Sequence, residues 1–552
     1  MNKEAAMVQS QLGIKTHPSI LLKVIVLILI GLGLFFHFAH LGQKFYCGDE
    51  TWTSVAISGH TLVEIQQELA QHQDLIPITA LQKYQHLNPD QNVFDTVNYL
   101  ITSDPQHPPL YYVLVRLWAQ IFGDSPAGVR SLSVILSLLI FPSAYWLCVE
   151  MFESAVVGWI AMALIAVSPL QLFLAQEARQ YGLWMVEILL SSATLLRAVK
   201  QKGKVNWIAY TLTLTLGLYT HLFTILVMIA HGIYVIIEQQ FRFTKTLLNY
   251  LLFTSGALLM FVPWLVVLIT YIHTAVQQTS GWSIRFVENP FELIAIFLIR
   301  IARTFFDFNL TSSDLGMGIS FALEGSMIYT IFALVLSLVL VSYLIAFLVK
   351  SSINKNWILL ALVGGLPATL LIIADLFLGG IRSLQIRYQL PLCLSLEILT
   401  AYFIAYLFFQ EQEAILGKRI SQIALAILLT VGLISDVKFF QSENWWTQTS
   451  GKFITETALV INNSENSLLV INPSPVNLGG ILALSNYLSK VDLLPVVNDV
   501  FQPIPQDYTQ IFFMQHNNSL FQQIEQDKNY ALKVIVVFPI EPGGLWQFTK
   551  IS

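Results

Sequence analysis

The chain has 552 residues, of which 55% are hydrophobic and 11% charged, with a formal net charge of −5. Soluble domains carry about 25% charged residues, so this composition excludes an ordinary soluble domain. The mild negative balance excludes the basic surface of a nucleic-acid binder, and three scattered cysteines, Cys47, Cys148 and Cys393, make neither a disulfide framework nor a metal knuckle.

The first apolar run, Val24–Phe36, has no small-residue cleavage site behind it, so it reads as a retained first helix. Longer runs follow: Ala155–Gln176 holds 22 residues, Thr246–Ile272 holds 27 and Met327–Val349 holds 23 without a charge. About 20 residues at 1.5 Å rise cross the hydrocarbon, and a backbone in lipid must satisfy its own hydrogen bonds, so these runs are helices. Eleven spans are expected, at 20–41, 127–149, 154–173, 180–199, 206–221, 222–240, 247–272, 327–349, 357–378, 388–409 and 417–435.

Lys and Arg in the short loops set the orientation. With a cytoplasmic N-terminus, the inner segments carry Lys3, Lys15 and Lys23; Lys200, Lys202 and Lys204; Arg242 and Lys245; Lys350 and Lys355; and Lys418 and Arg419. Only the 150–153 turn, with Glu150 and Glu153, breaks the bias. Three large segments then lie outside: 42–126, 273–326 and the tail from about 436. Residues 291–308 carry Arg300, Arg303 and Asp307, and Leu110–Phe122 carries Arg116, so both read as interfacial helices. In the tail, Ser467–Ile471, Gln510–Phe513 and Lys533–Phe538 read as strands and Ile481–Leu488 as a helix. The expected fold is a polytopic α-helical membrane domain over 1–435 with a soluble extracytoplasmic α/β domain over 436–552. Its expected location is the plasma (inner) membrane.

Chemistry-bearing residues collect on the outer side. Asp49 and Glu50 follow the first helix, where they also suit a helix N-terminus. His107 opens the stretch HPPLYY, and Glu177, Arg179 and Tyr181 lie in QEARQY, where Tyr and Arg equally suit a headgroup-level anchor. His221 ends YTH, while Arg382 and Arg387-Tyr388 stand at the outer end of a late span, suited to a phosphate or to snorkelling. Glu187 and Glu397 fall inside spans, where a carboxylate is costly.

In this order, the carboxylates, HPPLYY, GDSPAGVR, SP…QEARQY, YTH and RYQLP resemble the C-type glycosyltransferase superfamily, in its protein O-mannosyltransferase and lipid A aminoarabinose transferase branch. The resemblance covers about residues 20–410. It implies a GT-C-like fold of 11 to 13 spans and an inverting transfer from a polyprenyl-phosphate sugar to an acceptor hydroxyl of a protein, lipid or glycan, without a nucleotide sugar. It places the base at Asp49, an acidic neighbour at Glu50, the second-loop acid at Glu177, and a phosphate contact at Arg387. Arg179 and Arg382 are expected to join Arg387 on the donor phosphate, with His107, Tyr181, His221 and Tyr388 lining the substrate pocket. Members differ in metal dependence, so a divalent cation stays open, and no metal ligand is assigned. The alternative class is a transporter or flippase of lipid-linked sugars, which would place its charges near the bilayer midplane.

Overall fold

The computed structural model describes residues 18–71, 75–283, 289–308, 331, 333–335, 337–338, 341–342, 356–409, 415–443, 445, 449–472, 475–496, 507–514, 519–527, 529–537 and 544–551. The first helix, α1 (Ile20–Phe38), starts where the Ser19 hydroxyl accepts the Leu22 N–H at 3.2 Å. The first outer segment then folds into α2 (Gly48–Ser58), α3 (Leu62–Gln71), a two-residue strand β1 (Ile76–Pro77), a 3₁₀ stretch Ile78–Gln85, α4 (Val93–Ser103) and α5 (Leu110–Phe122). A reciprocal capping box starts α3, with Thr61 N–H on Glu64 and Glu64 N–H on Thr61, at 2.8 and 3.2 Å.

The helical body continues with α6 (Pro126–Ser137), α7 (Ile140–Phe152), α8 (Ala155–Ala166), α9 (Pro169–Ala175), α10 (Tyr181–Gln201), α11 (Lys204–Thr220), α12 (Thr224–Glu238), α13 (Lys245–Thr270), α14 (Ile272–Ser283) and α15 (Pro290–Ala302). It closes with α16 (Trp357–Leu378), α17 (Leu390–Phe409) and α18 (Ile415–Gln441). Among the described residues seven helical stretches are long and apolar enough to cross a membrane, or eight if the pair α8–α9 is one span. Eleven spans were expected; α11 and α12, at 17 and 15 residues, stand where two of these were placed but are not among the seven, and most of 327–349 lies outside the described residues.

The expected straight span over 154–173 is instead broken, with α8 and α9 meeting at 66°. Pro169 explains the break, because it has no N–H to give and clashes with a continued helix. The Ser168 hydroxyl turns aside to donate to the Thr304 carbonyl at 2.6 Å. Two neighbouring helices press backbone onto this break. A Cβ at Gly33 of α1 would meet the Ala166 carbonyl oxygen at 2.7 Å, and one at Gly432 of α18 would collide with that of Val167. Glycine is required at both positions by close approach.

Helix α18 ends at Gln441, six residues beyond the expected 435. The buried Lys44 ammonium caps that end, donating to the carbonyls of Phe439, Phe440 and Ser442. Burial, reinforced by the Arg130 charge, pushes the Lys44 amine down to about 8.

The tail holds α19 (Thr449–Asn462), β2 (Ser467–Ile471), α20 (Pro475–Ser485), β3 (Asp492–Pro495), β4 (Gln510–Phe513), α21 (Ser519–Gln526), β5 (Tyr530–Val537) and β6 (Gly544–Lys550). One six-stranded sheet runs β1-β3-β2-β4-β6-β5, with β2 parallel to β3 and β4 and the other pairs antiparallel. The helix expected at 481–488 lies at 475–485, and the strand expected at 533–538 begins at Tyr530, with 538 outside the described residues.

The sheet is stitched to the first outer segment. Ile76 of β1 pairs with Leu493, and the Gln85 amide donates to Leu482 O and Ser485 Oγ at 2.9 and 3.1 Å. The Tyr487 hydroxyl accepts the Tyr46 N–H at 2.7 Å, and its ring stacks on Phe45 with centroids 5.4 Å apart. The tail therefore bears directly on the backbone that leads into Asp49.

Candidate active site

The two adjacent carboxylates of α2 go to different places. Glu50 is fully buried, and both its oxygens are occupied. Oε1 accepts Arg130 Nε at 2.7 Å and Ala178 N at 2.9 Å, while Oε2 accepts Arg130 Nη2 at 2.6 Å and Cys47 N at 3.1 Å. The other Arg130 donors reach the carbonyls of Leu41, Lys44 and Phe45 at 2.6, 3.0 and 2.7 Å. Four donors fill a carboxylate's acceptor sites, so Glu50 pins the first outer segment to α6 and to the loop before α10. Glu50, expected as the acidic neighbour of the base, has no lone pair open for a substrate.

Asp49 faces the other way. Its Oδ2 forms an ion pair with Arg387, which sits in a 3₁₀ turn, Ile386–Tyr388, ahead of α17. Arg179 Nη1 donates to the Asp49 carbonyl at 3.1 Å and to Thr53 Oγ1 at 3.4 Å, and Thr53 in turn donates to Ala178 O at 2.8 Å. Burial alone would raise the Asp49 carboxyl, but the Arg387 and Arg179 charges and the Arg387 hydrogen bond hold it well below the usual carboxylate range.

Glu177 and Arg179 stand on one tight turn, in which Arg179 N–H reaches Glu177 O at 2.7 Å. Burial, with the Asp49 and Glu50 charges, pushes the Glu177 carboxyl up to about 8, against the opposing pull of Arg387 and Arg179. The two carboxyls are thus pushed in opposite directions, Asp49 down and Glu177 up. Buried guanidinium donors remain beside them: Arg179 Nε and Arg387 Nε have no partner among the described residues. Such groups are costly unless something fills them, and an anionic ligand would.

The other residues named from the sequence divide into two groups. His107 Nε2 accepts from Arg179 Nη2 at 2.9 Å, and Tyr181 OH accepts from Arg387 Nη1 at 3.4 Å. His221 stacks on Trp184 at 4.0 Å between ring centroids and lies 6.1 Å from Tyr181 and 6.3 Å from Tyr388. These four border the ionic cluster with an aromatic wall. Arg382 is not brought into the cluster as expected: it pairs with Asp375 at 3.2 Å and donates to Gly379 O at 2.5 Å, closing the end of α16.

Glu187 accepts from the Thr220 hydroxyl at 2.9 Å, and Glu397 accepts from the Gln171 amide at 3.0 Å. No group of three or more His, Cys, Asp or Glu is placed to hold a metal ion among the described residues. Sequence reasoning quoted GDSPAGVR but gave its last residue, Arg130, no role, and it missed Thr53, Asp104 and Trp184. Asp104, three residues before His107, carried a local signal, since its carboxylate lies 2.8 Å from His107 Nδ1.

Residues 106–267 match the family model described as dolichyl-phosphate-mannose-protein mannosyltransferase. The match spans His107, Glu177, Arg179, Tyr181 and His221, and the resemblance to the C-type membrane glycosyltransferases stands on it. Solved structures are similar over most of the chain. ArnT from Cupriavidus metallidurans bound to undecaprenyl phosphate is 11% identical with a TM-score of 0.48, over 96% of this chain and 98% of that one. The Archaeoglobus fulgidus oligosaccharyltransferase tethered with an acceptor peptide is 10% identical with a TM-score of 0.46, over 96% and 74%. The arabinofuranosyltransferase AftD from mycobacteria is 12% identical with a TM-score of 0.38, over 91% and 40%. No curated protein matches the chain.

Proposed function

We propose that the protein is an inverting glycosyltransferase that moves a sugar from a polyprenyl-phosphate donor to an acceptor hydroxyl on the non-cytoplasmic face of the plasma (inner) membrane. The observation that carries this reading is the meeting of Asp49, Glu177, Arg179 and Arg387, which come from three distant segments and border one ionic cluster. The description of the matched family names a lipid-phosphate sugar as donor, in keeping with two arginines that have donors to spare.

The transfer is one in-line displacement at the anomeric carbon, through an oxocarbenium-like transition state. The acceptor oxygen bonds to that carbon, the carbon–phosphate-oxygen bond breaks, and the acceptor proton passes to the Asp49 carboxylate. Arg179 and Arg387 balance the charge that grows on the departing polyprenyl phosphate. Glu177, protonated, donates a hydrogen bond to the phosphate or to a sugar hydroxyl without adding negative charge. Arg387 serves two anions in turn. While it holds Asp49 the carboxylate is a weak base, and a bound phosphate shares Arg387 and restores basicity to Asp49. The polar residues inside the helical body, Glu187 and Glu397, are separate and individually bonded, which gives a midplane transport path no support.

The test is the fate of a polyprenyl-phosphate sugar, labelled on both sugar and lipid phosphate, in proteoliposomes containing the full chain. Free polyprenyl phosphate should appear in step with loss of donor and with sugar joined to an acceptor. Passage of intact donor across the bilayer, without that release, would sink the enzyme reading.

A further inference from the structure

Arg179 is held at both ends of its guanidinium: Nη1 by Asp49 O and Thr53, Nη2 by His107 Nε2 at 2.9 Å. A guanidinium only donates, so His107 Nε2 must present a lone pair. A neutral imidazole has one N–H, which must then sit on Nδ1, the atom 2.8 Å from Asp104 Oδ2. A carboxylate is an acceptor only, so Asp104 selects the tautomer that Arg179 needs. Gln106 donates to the other Asp104 oxygen. The turn itself is fixed: Asp104 N–H reaches Leu100 O and His107 N–H reaches Asp104 O, both at 3.1 Å, while Trp264 Nε1 holds Pro105 O at 3.2 Å.

We propose that Asp104 is a positioning residue for the lipid-phosphate donor, setting the His107 tautomer and through it the direction of Arg179. With Nη1 and Nη2 both committed, the guanidinium plane is fixed, and its buried Nε donor is left for the ligand. The inference rests on the reading that Arg179 contacts the donor phosphate. It adds the residue that aims it, which touches neither donor nor acceptor.

The experiment measures binding of undecaprenyl phosphate to the purified full chain in nanodiscs, for wild type, Asp104→Ala, His107→Gln and the double variant. A glutamine amide oxygen offers Arg179 an acceptor that depends on no tautomer. Asp104→Ala should weaken binding about tenfold in the wild-type background, the size expected for a lost hydrogen bond to a charged group. In the His107→Gln background, which should keep measurable binding, the same substitution should change affinity by less than about twofold. A merely structural role for Asp104 would lower affinity by the same factor in both backgrounds, and that result overturns the proposal. So does unchanged binding in Asp104→Ala, or complete loss in His107→Gln. Failure of the wild type to bind undecaprenyl phosphate overturns the lipid-phosphate reading itself, a different outcome from additivity.

Discussion

Asp49 and Glu177 share one site but are pushed in opposite directions, because two arginines bear on Asp49 while burial beside other carboxylates dominates at Glu177. The Glu177 carboxyl rises from 4.5 to about 8 on folding, so between those values the native state holds a proton that the unfolded chain lacks. Stability therefore falls as pH rises through that window and levels off above about 8. Glu177→Gln should remove this slope from thermal unfolding measured between about pH 5 and 9; an identical slope in the variant would refute the assignment. Glu50→Ala should act differently, leaving the buried Arg130 charge uncompensated at a cost of about 3–5 kcal/mol. It should be seen as lost folded yield rather than as a raised donor KM. The residues alone did not separate Asp49 from Glu50; only the resemblance named Asp49 as the base and Glu50 as its neighbour. Neighbours on a helix point in different directions, and the residue that claims Glu50 lies 80 positions away. Arg382 shows the same limit, since nothing in its own motif reveals that Asp375 holds it.

At the scale of elements, hydrophobic run length located most helices, because lipid leaves a backbone little choice. It could not show the bend at Ser168-Pro169, where only the proline signals that one apolar run is two helices. Close approach at that bend yields a prediction. Gly432→Val forces a branched side chain onto the Val167 carbonyl and should cost about 1–3 kcal/mol, as overpacking does. The readout is the midpoint of thermal unfolding in detergent, and an unchanged midpoint would mean that α18 does not press on the break. Strand β1 was invisible for another reason: two residues carry no alternation, and their pairing with β3 joins parts of the chain more than four hundred positions apart. The stronger strands β2 and β4 were legible because their apolar runs are bounded by turn residues.

At the scale of the molecule, the loops that carry positive charge and the segments that build the site were expected on opposite sides of the membrane, and the proposed function depends on that separation. The native cysteines are all buried, so single introduced cysteines report sidedness cleanly. An impermeant maleimide added to right-side-out vesicles should label exposed Gln523→Cys in the tail and spare exposed Lys202→Cys until the membrane is opened. The reverse pattern would place the site in the cytoplasm. The central claim, that Asp49 takes the acceptor proton in a transfer from a lipid phosphate, is tested most directly by single-turnover transfer from a defined polyprenyl-phosphate sugar with Asp49→Asn. Loss of a general base costs about 10²–10⁴-fold in rate, and that is the fall expected here. A rate within about threefold of wild type would contradict the claim.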